Sequence, residues 1–444
     1  MPRTSVSRIA VVVAGLVGGA LSAVFSWALD SQSYNVWGAI LVTPMIILLN
    51  LMLIRRVTRG SGEPWLPAIL SVALAAKIVG ALVRYLVAYG VYGGAADAER
   101  YNVYAAGQYG LWRQGFVVWD WGSAQGTQYM ELITTAIYTV IGPSPLAGFL
   151  VFGSFAFWGQ YLLFRAFRIS LPEGDGRRYA LLVLLLPSLL YWPSSIGKES
   201  WLMLFVGVTA LGAAKMFVRQ RGALGLLAVG AVGTTLIRPH IAVLLFAGVL
   251  VAQLFRPSGS ASTDILRKVG GIAILGGAAY VISTKSATFL GIDDFNWQAL
   301  SETVTFRSEQ TVQGGSEFSP VPLTSVTGIP AALATVLFRP FTWEAHSVQL
   351  LVQSLEGFFL LILTVRAWPQ LRGLPKLLRH NPYVVFSVVY TLAFMWAFSG
   401  LGNFGILARQ RVLMIPFFLV LLCLPARRKV SSDQLESEFY DAHR

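Results

Sequence analysis

The sequence predicts an all-α polytopic membrane protein that crosses the bilayer about a dozen times, one helix needing roughly 20 apolar residues. Composition is the first reason. Of 444 residues, 55% are hydrophobic and 12% are charged, with a mean hydropathy of +0.63. That is more apolar surface than one soluble core can hide, with too few charges to coat several cores. The second reason is that apolar stretches of span length recur along the chain. The third is that Lys and Arg fall in short clusters between those stretches, the positive-inside pattern. The net charge of +13 and isoelectric point near 10.0 form no continuous basic face, so nucleic acid is excluded as a partner.

The runs read as spans are 9–29, 34–54, 66–91, 145–165, 178–192, 199–217, 223–237, 239–255, 267–283, 347–366, 382–399 and 411–425. Arg3 and Arg8 precede the first in the manner of a signal peptide, but the apolar run continues to Leu29. It is therefore expected to stay as an uncleaved first helix. The runs 178–192, 223–237 and 239–255 fall short of a straight span and are expected to be broken, tilted or re-entrant. Paired glycines such as Gly15 and Gly19, or Gly270, Gly271, Gly276 and Gly277, suit close helix packing rather than a phosphate cradle.

With the N-terminus inside, Arg55, Arg56 and Arg59, then Arg165, Arg168, Arg177 and Arg178, Arg219 and Arg221, Arg256 and Lys268, Arg366 to Arg379, and Arg427 to Lys429 all become cytoplasmic. The scheme holds only if residues 129–141 do not span. They are expected to form a helix at the outer surface, stopped by Gly142-Pro143-Ser144-Pro145. Residues 1–426 then make one transmembrane domain with both termini cytoplasmic, two long outer loops at 92–144 and 284–346, and a disordered tail over 427–444. A P-loop is absent, which argues against an ATP-driven pump. The lone Cys423 excludes an intrachain disulfide, and His240, His346, His380 and His443 show no helical pair at zinc spacing.

Chemistry is expected in the outer loops, since loops on a rigid scaffold usually carry function. Gly93-Gly94-Ala95-Ala96-Asp97-Ala98-Glu99-Arg100-Tyr101 places two acids and a cation just past the third span. Asp97 suits a general base for an acceptor hydroxyl, or equally a helix N-cap. Trp119-Asp120-Trp121-Gly122 sets a carboxylate between two indoles, as a sugar-stacking surface or an interfacial aromatic belt. Lys198, in Ser195-Ile196-Gly197-Lys198-Glu199, either meets a phosphate or pairs locally with Glu199.

Arg238-Pro239-His240, the stretch from Arg339 through Trp343 and Glu344 to His346, and Arg409-Gln410-Arg411 are three further outer clusters. Each alone suits snorkelling to headgroups. Together they are cations kept where insertion bias removes them, and a lipid-linked phosphate or diphosphate explains that. Inside the third span Lys77 and Arg84 lie two turns apart on one face, with Glu356 of the tenth span as a possible counter-ion.

This layout resembles the GT-C superfamily of membrane glycosyltransferases, which use polyprenyl-phosphate or polyprenyl-diphosphate sugars on the outer face. Asp97 followed by Tyr101 resembles the acid of that family's first large outer loop. The stretch from Tyr129 to Arg168, in which Gly142-Pro143-Ser144 opens a span ending Leu163-Phe164-Arg165, is similar to its juxtamembrane helix and following span. The likeness covers residues 66–260 and rests on no diagnostic string; the acidic loop follows the third span here, where the family places it after the first. Arg238, with Arg339, Arg409 and Arg411, also looks like the outer arginines of O-antigen and exopolysaccharide polymerases.

The resemblance implies transfer of a sugar or glycan from a polyprenyl-(di)phosphate carrier to a glycan or glycolipid acceptor in cell-envelope assembly, in a bacterial plasma (inner) membrane. Asp97 would be the catalytic base. Lys198, Arg238, His240, Arg339, Arg409 and Arg411 would hold the lipid phosphate, and Trp119, Asp120, Trp121 and Trp343 would shape the sugar site. Many relatives use a divalent metal such as Mg or Mn; Asp97, Glu99 and Asp120 are the acids near enough to suggest one. The rival readings are a glycolipid transporter or flippase moving charge past Lys77 and Arg84, and a non-catalytic scaffold.

Overall fold

Among the described residues every regular element is a helix, apart from one isolated bridge between Glu317 and Asn403. The computed structural model describes residues 33–117, 119, 124–256, 316–318 and 329–425, with scattered positions within 19–30 and 265–277. The expected first and ninth spans, most of the second outer loop and the tail thus lie largely or wholly outside the described residues.

Among the described residues five helices are long and apolar enough to cross a membrane: α1 (Tyr34–Thr58), α2 (Leu66–Leu86, prolonged by a π-turn over Val87–Val91), α5 (Pro145–Ser170), α8 (Lys198–Phe217) and α12 (Val348–Arg366). Two bent pairs raise this to as many as seven. The pair α14 (Leu374–His380) and α15 (Pro382–Phe398) turns by 117°, and the pair α16 (Phe404–Arg411) and α17 (Ile415–Leu422) by 63°. The protein is therefore a membrane helical protein by length and composition of its helices.

The two deep helices are α5 and α8, and glycine decides how close they come. A Cβ on Gly159 would sit 2.2 Å from the Met203 carbonyl oxygen, and one on Gly207 would sit 2.3 Å from that of Gly159. Backbone thus touches backbone, as small residues allow between membrane helices. On the far side of α8, the short helix α9 (Ala223–Thr235) sets Gly230 against Thr209 and Gly233 against the Phe205 ring. α5 begins where the sequence turns: Ser144 caps it by accepting the Ala147 N–H at 3.1 Å, and Pro145 takes the first helical position.

Of the three short apolar runs, 178–192 is broken as its length suggested, while 223–237 and 239–255 each form one short helix. Residues 178–192 form α6 (Gly176–Leu185) and α7 (Pro187–Tyr191), parted at Leu186, whose extended ψ of 133° is what a following proline imposes. Residues 223–255 divide at Arg238-Pro239 into α9 and α10 (Pro239–Leu254). The segment expected as a surface helix is α4 (Thr127–Ile141), whose buried face (Met130, Thr134, Thr135 and Tyr138) packs on α3 (Asp97–Arg113). The Tyr138 hydroxyl donates to Asn102 at 2.8 Å. Gly142 then turns the chain at φ +80°, hard against Tyr34.

The expected ion pairing of Lys77 and Arg84 with Glu356 does not form. α7 touches both α2 and α12 and supplies neutral partners instead. Lys77 Nζ donates to the Leu189 carbonyl at 2.7 Å, Arg84 donates to the Tyr191 hydroxyl at 3.1 Å, and Glu356 accepts from the N–H and hydroxyl of Ser188. The two cations do share one face, as their spacing required.

Replacing Gly159 by Ala should therefore lower the thermal midpoint in detergent, at a cost of about 1–3 kcal/mol for overpacking. Gly225→Ala, where a Cβ meets nothing within 4 Å, should leave it unchanged or raise it by up to about 1 kcal/mol. Equal midpoints for both variants would refute the close α5–α8 contact.

Candidate functional site

A cavity of about 650 Å³ opens where the end of α2, the start of α3, the loop before α8 and the start of α16 meet. Local sequence puts acids there. Gly93 (φ +56°) and Gly94 (φ +84°) reverse the chain after α2, and the extended Ala96 takes the N-cap place of α3. Asp97 is thereby the first residue inside the helix and does not cap it, which corrects the N-cap alternative. Its carboxylate reaches across to α16, where Arg409 donates to Oδ2 at 2.6 Å. Position favours the charge, since an acid in the first turn meets the positive end of the helix dipole.

The second acid comes from α8. Gly197 is extended, the helix starts at Lys198, and Glu199 in its first turn points inward, 3% exposed. Glu199 Oε1 accepts from Arg238 at 2.7 Å and from Arg409 Nε at 2.7 Å. Arg238, held at the break between α9 and α10, also donates to Gln410 at 2.6 Å. Four segments distant in sequence thus meet in one chain of contacts running Asp97, Arg409, Glu199, Arg238 and Gln410. Two carboxylates face two guanidiniums, so the chain balances its own charge. Asp97 stays about half exposed, whereas Glu199 is sealed beneath it. Next to Glu199, Lys198 donates to the Thr127 hydroxyl at 3.0 Å.

Tyr101 lies one turn beyond Asp97 and is buried. Burial, and then the carboxylates of Asp97 and Glu199, push its phenol well above the ordinary tyrosine value, so it remains a neutral hydrogen-bonding group.

The remaining sequence candidates are dispersed. Arg411 is fully buried and donates to the carbonyls of Leu337 and Arg339, at 3.2 and 2.8 Å. Arg339 pairs with Glu344 and lies over the rings of Phe318 and Phe404, 4.5 and 5.3 Å from their centroids. Burial raises the Glu344 carboxyl, but hydrogen bonds from Arg339 and from the Phe341 N–H outweigh it and hold the group below the usual range. Trp343 is 75% exposed, stacks on Phe341, and lines a separate cavity of about 180 Å³ with Phe404 and His346. His240 lies beside Phe398, ring centroids 6.2 Å apart. Trp119 packs on Trp112 and Tyr129, and Asp120 and Trp121 lie outside the described residues.

Of the expected phosphate set, then, Arg409 meets Asp97 and Arg238 meets Glu199, with Lys198 alongside; His240, Arg339 and Arg411 are engaged elsewhere. Sequence reading undervalued Glu199, treating it only as a local partner of Lys198. An acid one residue inside a helix start, near several outer arginines, was the available signal. No group of three His, Cys, Asp or Glu residues assembles a metal site among the described residues. Asp97 is engaged by Arg409, and Glu99 accepts from Tyr89 and Asn102; Asp120, the third acid, lies outside the described residues, and no step is assigned to a metal.

No protein-family model, curated protein or solved structure matches this chain.

Removing Glu199 leaves two guanidiniums facing each other with no carboxylate between them. Glu199→Gln should cost about 3–5 kcal/mol of stability, the range for breaking a buried ion pair. Arg100→Gln, which breaks a pair with Glu131 in which the arginine is 67% exposed, should cost at most about 1 kcal/mol. Thermal unfolding of both proteins in one detergent checks the difference, and equal losses would show that Glu199 does not organise the site.

Proposed function

We propose that this chain is a membrane glycosyltransferase that moves a sugar or glycan from a polyprenyl-(di)phosphate carrier to an acceptor at the extracytoplasmic face, in cell-envelope polysaccharide or glycolipid assembly. In this reading the chain crosses the inner membrane about a dozen times, span lengths being near 20 residues, and both termini are cytoplasmic. The observation that carries it is a half-exposed carboxylate, Asp97, at a roomy cavity, oriented by Arg409, which a sealed acid holds in turn. Support also comes from where the segments lie. The charge pattern puts the loops at Asp97, Lys198, Arg238 and Arg409 on the outer side, and those loops converge here.

The chemistry needs a base and a place for a departing anion. Asp97 takes the proton of the acceptor hydroxyl as that oxygen bonds to the anomeric carbon. The bond from that carbon to the carrier phosphate breaks, and its electron pair leaves with the phosphate. Arg409 keeps the carboxylate aimed, and Lys198 adds positive charge near the cavity. Against the transporter reading stands one of its two charges: Lys77 is 2% exposed and ties α2 to α7.

A polymerase that moves whole lipid-linked glycans uses the same bond chemistry. One observation favours that variant. The cavity at Asp97 and the separate, smaller one at Trp343 are lined by sequence neighbours, Gly405 with Phe404 and Gln349 with Leu350, which offers a second nearby place for a further sugar unit.

Asp97→Asn should reduce transfer at least a hundredfold, the lower range for losing a general base being about 10²-fold, with gel-filtration behaviour unchanged. The assay is sugar release from a polyprenyl-phosphate sugar by the purified protein in nanodiscs. Full activity in the variant would remove Asp97 from the chemistry.

A further inference from the structure

The balance of charge around the cavity singles out a residue that the lipid-phosphate reading did not use. Arg238 and Arg409 are each committed to Glu199, and Arg409 to Asp97 as well. An anion arriving at either guanidinium meets a carboxylate already in place. Arg84, on the same cavity, is different. Its one hydrogen bond is to a neutral group, the Tyr191 hydroxyl at 3.1 Å, and its Nε is buried without a partner. Among the described residues no carboxylate lies within ion-pair distance of it.

The setting is built rather than incidental. The guanidinium carbon lies 5.0 Å from the Tyr191 ring centroid and 4.9 Å from that of Trp192, so two aromatic faces fix its position. Gly80, one turn earlier in α2, makes this possible: a Cβ there would lie 2.6 Å from the Leu190 carbonyl oxygen and push α7 away. Leu82, Val83 and Leu86, around it on α2, are exposed apolar residues of a span-length helix, the surface that acyl or isoprenoid chains cover.

An arginine near the end of a span, held by aromatic rings and lacking a counter-charge, is costly unless water or an anion satisfies it. We propose that Arg84 is the anchor for a phosphate oxyanion at this cavity, seated between the Tyr191–Trp192 shelf and the loop before α8. The site would read phosphate through the planar fork of donors that arginine offers. This rests on the transferase reading for the identity of the carrier lipid, though not for the site itself.

The test is equilibrium binding to the full chain in nanodiscs, with a long-chain polyisoprenyl monophosphate, the matching polyisoprenol, and inorganic diphosphate as separate probes. Wild type should prefer the lipid phosphate over the alcohol by about ten- to a hundredfold, the span of a charge-assisted contact. Arg84→Gln should erase that preference, and Arg84→Lys should keep only part of it. Should Arg84→Gln fail to fold, Arg84→Lys and Tyr191→Phe carry the comparison, each expected to bind the phosphate more weakly than wild type and the alcohol equally.

A preference that survives these changes overturns the assignment and leaves the transferase reading standing. Binding of inorganic diphosphate that depends on Arg84, with no binding of the lipid phosphate, upholds the anion site and points to a soluble source, against the transferase. Absence of binding by all three probes to wild type overturns both.

Discussion

One buried oxygen, Glu199 Oε1, receives both Arg238 and Arg409, and the site takes its shape from that contact. A carboxylate sealed from water is strongly unfavourable unless charged donors surround it. Two guanidiniums meet the demand, and each arrives on a different piece of chain, one at the α9–α10 break and one on α16. Because Arg409 spends its Nε on Glu199, the rest of its fork is aimed at Asp97 on α3. The position of the exposed acid thus follows from the needs of the buried one. Such a cluster is a weak source of net stability and a strong constraint on which segments lie side by side.

That constraint works only because the helices beneath it are fixed. Glu199 opens α8, and α8 is clamped along its length by the glycine contacts with α5 and α9. No hydrophobic force draws helices together in lipid, so close backbone approach and dispersion must hold the register. α7 adds a second tie: it takes the ammonium of Lys77 from one side and lends Ser188 to Glu356 from the other. Charges placed within spans are here used to pin a broken helix between two long ones.

Much of this was legible in the sequence, and the limits follow from physical range. Span-length apolar runs announced α1, α2, α5, α8 and α12, since hydropathy and length are local properties. Short length announced the break within 178–192, and glycine with proline announced the turn at Gly142, for the same reason. The α4 helix was reached indirectly, from the need to keep basic loops on one side. Pairings were not legible. Lys77 and Arg84 looked like partners for Glu356 because all three are charges in apolar runs, yet each bonds a neutral group on α7 instead. Glu199 looked like a local partner for Lys198 because its real partners are distant in the chain.

The outer arginines show why counting charges overstates an anion site. Four of them looked alike in sequence, but structure spends them on different work. Arg411 holds two carbonyls, Arg339 serves Glu344 between two rings, and Arg238 and Arg409 serve one buried acid. Attraction for a ligand comes from charge left uncompensated, and compensation depends on tertiary contacts that composition does not carry. Arg84, which sequence placed among structural or translocating charges, keeps neutral partners at the wall of the cavity. In the proposed transfer, a base whose orientation rests on a closed ion cluster works best if the leaving group's charge is met elsewhere. Otherwise a phosphate bound at Arg409 would compete with Asp97 for the group that aims it. Under that proposal, separating the two tasks would let the carboxylate stay in place while the anion departs.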